Sequence, residues 1–136
     1  MKRLFIDTNV LLDILLQRAP FLKDSAKVVD MGMSNRLQLV STALTFSTCV
    51  YVARKHLGYG VAIENVKMLE KYFEIAPMTH SQLRAALYSN MPDIEDMLQY
   101  QSAVDAHCDV VVTRNVQHFP QQPIPSMTPT DLLSIH

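Results

Sequence analysis

RLFIDTNVLLD, residues 3–13, is the stretch on which the fold turns. Residues 3–7 form a short, mostly apolar run that reads as a buried strand and stops at a carboxylate, Asp7. Leucines at helical spacing resume at once in VLLDILLQR, residues 10–18, and Asn9 is placed to cap that helix. Pro20 is expected to end it. A strand that runs straight into a helix opens an α/β unit, and Asp7 then stands at the carboxyl end of the strand.

The same alternation continues along the chain. Residues 23–35 read as a helix with Asn35 as its stop, and 37–40 as a second strand. Residues 43–58 and 61–73 read as helices, with Gly58 closing the first of them. EIAP, 74–77, reads as a strand, and 80–89 and 94–107 as helices, the latter capped by Asp93. DVVVT, 109–113, is the clearest strand, being β-branched throughout its centre. An edge strand and a last short helix capped near Thr128 or Thr130 complete the chain. Strands alternating with helices imply an α/β fold: a mostly parallel central sheet covered on both faces, a three-layer α/β/α sandwich. In such sheets ligands bind beyond the carboxyl ends of the strands. Asp7, Thr113 and Asn115 all fall there.

Composition sets limits on the function. The chain has 136 residues, 49% of them hydrophobic, which is expected to give one domain spanning 1–136 with one core. A formal net charge of −1 argues against a protein that grips nucleic acid by bulk electrostatics alone. Cys49 and Cys108 match no paired-cysteine spacing and read as buried reduced thiols. The apolar start is cut at Asp7, too short for a secretory signal, and no run approaches the ~18 apolar residues of a membrane span. A cytoplasmic protein without membrane contact is expected.

Three segments carry candidate chemistry, and each alone has a plain structural explanation. Asp7 can be a helix cap. PDIEDMLQ, 92–99, holds Asp93, Glu95 and Asp96 at a helix start, where acids complement the helix dipole. TRN, 113–115, can be a turn after a buried strand. Their order is more informative than any one of them: strand–DTN–helix, then D-x-E-D opening a helix, then strand–TRN followed by Phe119. From FIDTNVLLD through ALTFSTCVYVARK and DIEDMLQYQSA to TRNVQHFP, the chain resembles the PIN-domain family, in particular the small bacterial members that act as toxins of VapBC-type toxin–antitoxin pairs.

The resemblance implies a ribonuclease dependent on Mg2+ or Mn2+, with RNA as substrate, a small antitoxin as partner and a homodimeric assembly. It places the metal on Asp7 and Asp96, and assigns catalysis to these two with Asn115. Thr8, Asn9, Glu95, Thr113 and Arg114 share the matching motifs and are expected to line the site. Hard divalent cations take oxygen ligands, and magnesium keeps several waters, so one or two carboxylates can suffice. Arg114 is placed to contact a phosphate or to pair with a carboxylate of the site. Asn9 and Asp13, four apart, share a helix face, from which Asp13 either supports the site or solvates the helix. Tyr51 reads as a core residue or as a platform for a base, and Arg54 and Lys55 as a helix-end or RNA-facing rim.

The chain departs from the family pattern at three positions. Thr48 stands where the family usually has a glutamate, Asn115 where an acid is frequent, and His118 where an aspartate commonly precedes the phenylalanine. Weaker metal binding than at a four-acid site is therefore expected. The alternative is a PIN-fold module with weak or absent hydrolysis that binds RNA or a protein partner. A haloacid-dehalogenase-like phosphatase also begins with a strand-end aspartate, but it needs a second one where this chain has Asn9.

Overall fold

Successive residues of the first strand enter opposite cores. In the computed structural model, which describes residues 2–135, β1 is Arg3–Ile6; Leu4 and Ile6 join one apolar cluster and Phe5 the other. This period-two split marks a strand buried on both faces. It recurs in β2 (Gln38–Thr42), where Leu39 and Val40 diverge, and in β4 (Val110–Val112), where Val111 opposes its neighbours. With β3 (Phe73–Ala76) and β5 (Ser126–Met127) they form a sheet of order β3-β2-β1-β4-β5, in which every pairing is parallel.

One face is covered by α1 (Thr8–Leu15), α2 (Leu22–Met33), α3 (Ala43–Leu57), α4 (Tyr59–Glu70) and α7 (Pro129–Ser134). The other is covered by α5 (His80–Leu87) and α6 (Ile94–Asp105). The result is the three-layer α/β/α sandwich expected from the alternation. Gly32 lets α2 lie close on β2, since a Cβ there would collide with the Leu39 side chain. Among the described residues no helix is long and apolar enough to cross a membrane.

Several boundaries differ from the sequence reading for local reasons. The first helix starts at Thr8, and its cap is Asp7 rather than Asn9. It also ends sooner, at Leu15, because Gln17 adopts a positive φ of 51° before Pro20 is reached. The second strand runs on to Thr42, whose hydroxyl accepts the Thr45 N–H and caps α3. Gly58, at φ 81°, is the single residue between α3 and α4, a conformation that favours glycine. Phe73 belongs to β3 rather than to the preceding helix, and its ring meets Phe46 edge-on at 5.2 Å between centroids. Asp93 and Thr128 cap α6 and α7 as expected. The 3-10 turn at Val116–His118 was not anticipated, being too short to show periodicity.

The strand order fixes where a crevice opens. From β1 the chain builds outward through β2 and β3 on one side, and β4 and β5 lie on the other. The switch point therefore falls between the carboxyl ends of β1 and β4, the place where open parallel sheets hold ligands.

Candidate functional site

Asp7 leaves β1 at this switch point, and its N–H donates to the Val112 carbonyl at 2.9 Å, prolonging the pairing with β4. Asp7 is only 5% exposed, and both of its carboxylate oxygens are engaged. Oδ1 accepts the Thr8 N–H at 2.8 Å, and Oδ2 accepts the Thr113 hydroxyl at 2.8 Å. Thr113 Oγ1 in turn accepts the Asn115 N–H at 3.0 Å, so the TRN loop is ordered around Asp7. Burial pushes Asp7 above the usual carboxylate range; the hydrogen bonds from Thr113 and Thr8 oppose this, while the charges of Glu95 and Asp93 add to it.

Asp96 comes from α6, opposite. Asp93 caps that helix, its Oδ1 accepting the Asp96 N–H at 2.9 Å, which holds the first turn in place. One turn further along α6, Gln99 is almost fully buried. Its amide nitrogen donates to Thr45 Oγ1 at 2.8 Å, and its oxygen accepts the Thr42 hydroxyl at 2.8 Å. The Thr8 hydroxyl also donates to Thr45 Oγ1, at 3.2 Å. These bonds tie α6 to the starts of α3 and α1, the elements on either side of Asp7. The Asp96 carboxyl is pushed up to about 6, first by burial and then by the charges of Asp7 and Asp93, with His118 pulling the other way. His118 Nδ1 lies 3.4 Å from Asp96 Oδ2.

The Asp7 charge thus reaches Asp96 and disfavours ionisation there, while the acids that act on Asp7 itself are Glu95 and Asp93. Among the described residues no three His, Cys, Asp or Glu side chains are grouped so as to hold an ion by themselves. Carboxylate oxygens of Asp7 and Asp96 are the kind of donor that would suit a magnesium-like ion, which retains water and needs no fully protein-built cage.

The other expected residues fall into two groups. Thr8, Thr113 and the Asn115 backbone touch Asp7 or its supports directly. Glu95 is exposed and reaches the site only through its charge, as adjacent helix positions diverge by about 100°. Asn9 is half-buried inside α1 rather than capping it. Arg114 pairs with neither Asp7 nor Asp96: its Nε and Nη2 donate to the two oxygens of Asp13, at 2.6 and 3.2 Å. Asp13 is fully buried and also lies 3.7 Å from Arg18 Nη1. The reading of Tyr51 as a core residue is corrected, since it is 54% exposed with Arg54 and Lys55 over its ring. Thr48 is half-buried, three residues after Thr45. Cys49 and Cys108 are buried free thiols, both pushed up to about 12 by burial, and the Asp7 charge adds to the shift at Cys49.

Sequence reasoning missed Thr42, Thr45 and Gln99, and it noted His118 only as a departure from the family pattern, not as a neighbour of Asp96. Gln99 had a usable signal, because it stands three residues after Asp96 and so shares its helix face. The threonines had none beyond composition.

A pH prediction follows for the metal-free protein. The folded-state value of about 6 at Asp96 exceeds the ordinary value of about 4, so the folded chain holds the proton more tightly. Stability is therefore greatest below that ordinary value and falls as pH rises through about 4 to 6. Asp96→Asn removes this loss. With the carboxylate 20% exposed and partly screened, the variant is expected to be more stable at pH 7.5 by about 1 kcal/mol, or about 3 °C, with no gain at pH 4. Thermal melts of both proteins across pH 4–8 without metal check this.

Comparison with known proteins places this geometry among relatives. Residues 3–117 match the profile of a family described as PIN domain. Ribonuclease VapC1 of Aquifex aeolicus is 25% identical over 119 residues, covering 84% of this chain and 82% of that protein. The structure of DNA-bound VapBC from Salmonella typhimurium superposes with a TM-score of 0.71 at 19% identity, over 95% of this chain and 99% of that one. VapC20 of Mycobacterium tuberculosis, described as a sarcin-ricin loop cleaving toxin, superposes with a TM-score of 0.63 at 8% identity, over 79% and 86%.

Proposed function

Because the chain belongs to the PIN-domain family, we propose that it is a metal-dependent ribonuclease and the toxin of a VapBC-type pair. Asp7 and Asp96 are the residues that would hold the Mg2+ or Mn2+ ion. The observation that carries this reading is the buried Asp7 carboxylate at the switch point between β1 and β4, hydrogen-bonded by Thr8 and Thr113, whose charge reaches Asp96 on α6. Acids whose charges disfavour ionisation at Asp7 and at Asp96 form a setting in which a cation would relieve repulsion. A divalent cation bound there would lower the pKa of a bound water and offset charge on phosphoryl oxygens. The chain's own contribution is orientation. Thr113 and the Thr8 N–H fix the Asp7 oxygens, Asp93 fixes the first turn below Asp96, and Gln99 ties the two sides together.

The partners follow the same reading. The name of the Aquifex relative supports an RNA substrate, and the VapBC neighbour supports an antitoxin. A cleft lined by Ile14, Met33, Met68, Leu69 and Tyr72, between α1, α2 and α4, is the proposed seat of that antitoxin. Exposed apolar residues such as Tyr59 and Val61 support a homodimer. A second reading, an RNA- or protein-binding module with little hydrolysis, is favoured by the absence, among the described residues, of any three His, Cys, Asp or Glu side chains grouped to hold an ion.

Incubation of the purified protein with structured RNA separates the two. Cleavage that needs Mg2+ or Mn2+ and stops with chelator is the expected result. RNA bound but left intact at saturating manganese would leave only the second reading.

A further inference from the structure

A cavity of about 480 Å³ opens on the far side of Arg114, walled by Pro20, Phe21, Ser25, Pro129 and Thr130. Its lining contains groups that folding alone leaves unexplained. The Ser25 hydroxyl, on α2, is fully buried and has no hydrogen-bond partner among the described residues. Buried hydroxyls are nearly always paired, so an orphan on a residue that lines a cavity is a candidate partner for a ligand atom. Arg114 uses Nε and Nη2 on Asp13 and lays its guanidinium over the Phe21 ring, 4.0 Å from the centroid. Its Nη1 makes no hydrogen bond among the described residues. Phe21 remains 41% exposed. Asp24, also in the lining, accepts the Thr130 hydroxyl through Oδ2 at 2.6 Å, and its Oδ1 accepts nothing among the described residues.

We propose that this cavity is a subsite for one unstacked nucleobase of the RNA strand. The proposal rests on the ribonuclease reading above. An aromatic ring backed by a guanidinium is a stacking platform for a planar π system, the commonest way in which proteins hold single-stranded bases. The unpaired groups match the edge of a base, which offers donors and acceptors side by side. Ser25 and Arg114 Nη1 can serve its acceptors, and Asp24 Oδ1 its amino or imino donors. A purely apolar anchor from a protein partner would leave all three unsatisfied.

The test uses two substitutions outside the site carboxylates. Phe21→Leu keeps apolar volume and removes the π face, and Ser25→Ala removes the orphan hydroxyl. Binding is read with uncleavable 2′-O-methyl RNA hexamers by fluorescence anisotropy, and cleavage with the matching RNA. Phe21→Leu is expected to raise both Kd and KM about tenfold while kcat changes less than about twofold, and Ser25→Ala to raise both about threefold without lowering Tm. A crystal soaked with guanosine monophosphate should show its base against Phe21. Unchanged Kd and KM in both variants would overturn the subsite, as would nucleotide density found only elsewhere. So would occupation of the cavity by an antitoxin segment with RNA affinity unmoved by the substitutions. The two readings fail separately. RNA bound but uncut defeats the ribonuclease alone, whereas RNA cut equally well by both variants defeats the subsite alone.

Discussion

Asp7→Asn is expected to reduce RNA cleavage at least about a hundredfold while leaving the fold intact. The loss follows from charge. An amide in place of the carboxylate removes one of the two anionic donors proposed for the ion, and the remaining one, Asp96, is the more exposed. The tolerance of the fold follows from burial. Asp7 is nearly inaccessible, and burial raises its pKa, so its charge is held at some expense to stability. Asparagine keeps the shape, and its oxygen can still accept the Thr8 N–H. Its NH2 would face Thr113 Oγ1, whose hydroxyl can rotate to accept it. The net change in stability is expected to stay within about 1 kcal/mol. Parallel cleavage assays and melts check both halves: a variant that cuts RNA at the wild-type rate contradicts the role of Asp7, and one that fails to fold contradicts the burial argument.

The largest effect on stability is expected at the other end of α1. Arg114→Met leaves Asp13 fully buried, with only Arg18 at 3.7 Å as a remaining cation. A buried carboxylate stripped of a bidentate partner typically costs about 3–5 kcal/mol, which for a chain of this size is about 10–15 °C in Tm. Arg114→Lys is expected to recover only part of it, because a point charge cannot reproduce the fork. The double variant Asp13→Leu, Arg114→Met should recover most of the loss, since no charge is then left buried. A double-mutant cycle by chemical denaturation measures the coupling directly. Additive losses would mean that the pair does not act as a unit.

These two sites differ in how far the sequence discloses them. Asp7 is readable because an apolar strand stops at it and a helix begins, which puts any residue there at the carboxyl edge of a parallel sheet. Thr113 is readable for the same reason after the VVV run. Their hydrogen bond follows once β1 and β4 are neighbours, but that adjacency is a fact of strand order, and strand order is not written in periodicity. Asp13 illustrates the limit. Its helix face can be computed, yet whether that face meets solvent or Arg114, 101 positions away, depends on packing. The same holds for the Thr42–Thr45–Gln99 network, which joins residues up to 57 apart. Helix ends misread by a few residues, as at Gln17 and Phe73, reflect single backbone angles and single ring contacts that override propensity.

The resemblance to PIN domains proposes what local physics cannot, namely that Asp7 and Asp96 are the acids to pair. The structure adds that the charge of Asp7 raises the pKa of Asp96, and that Arg114 pairs with Asp13 rather than with either of them. Among the described residues no three His, Cys, Asp or Glu side chains are grouped to hold an ion, and Thr45 at the α3 edge is hydrogen-bonded to Thr8 and Gln99. A site of this kind is expected to depend on water and substrate phosphate to complete a coordination shell.

The most direct test is the anomalous density of a crystal soaked in manganese. One peak within coordination distance of both Asp7 and Asp96, absent from Asp7→Asn crystals soaked in parallel, is the predicted result. A map with no peak between these carboxylates, or with manganese held only by other side chains, would contradict it.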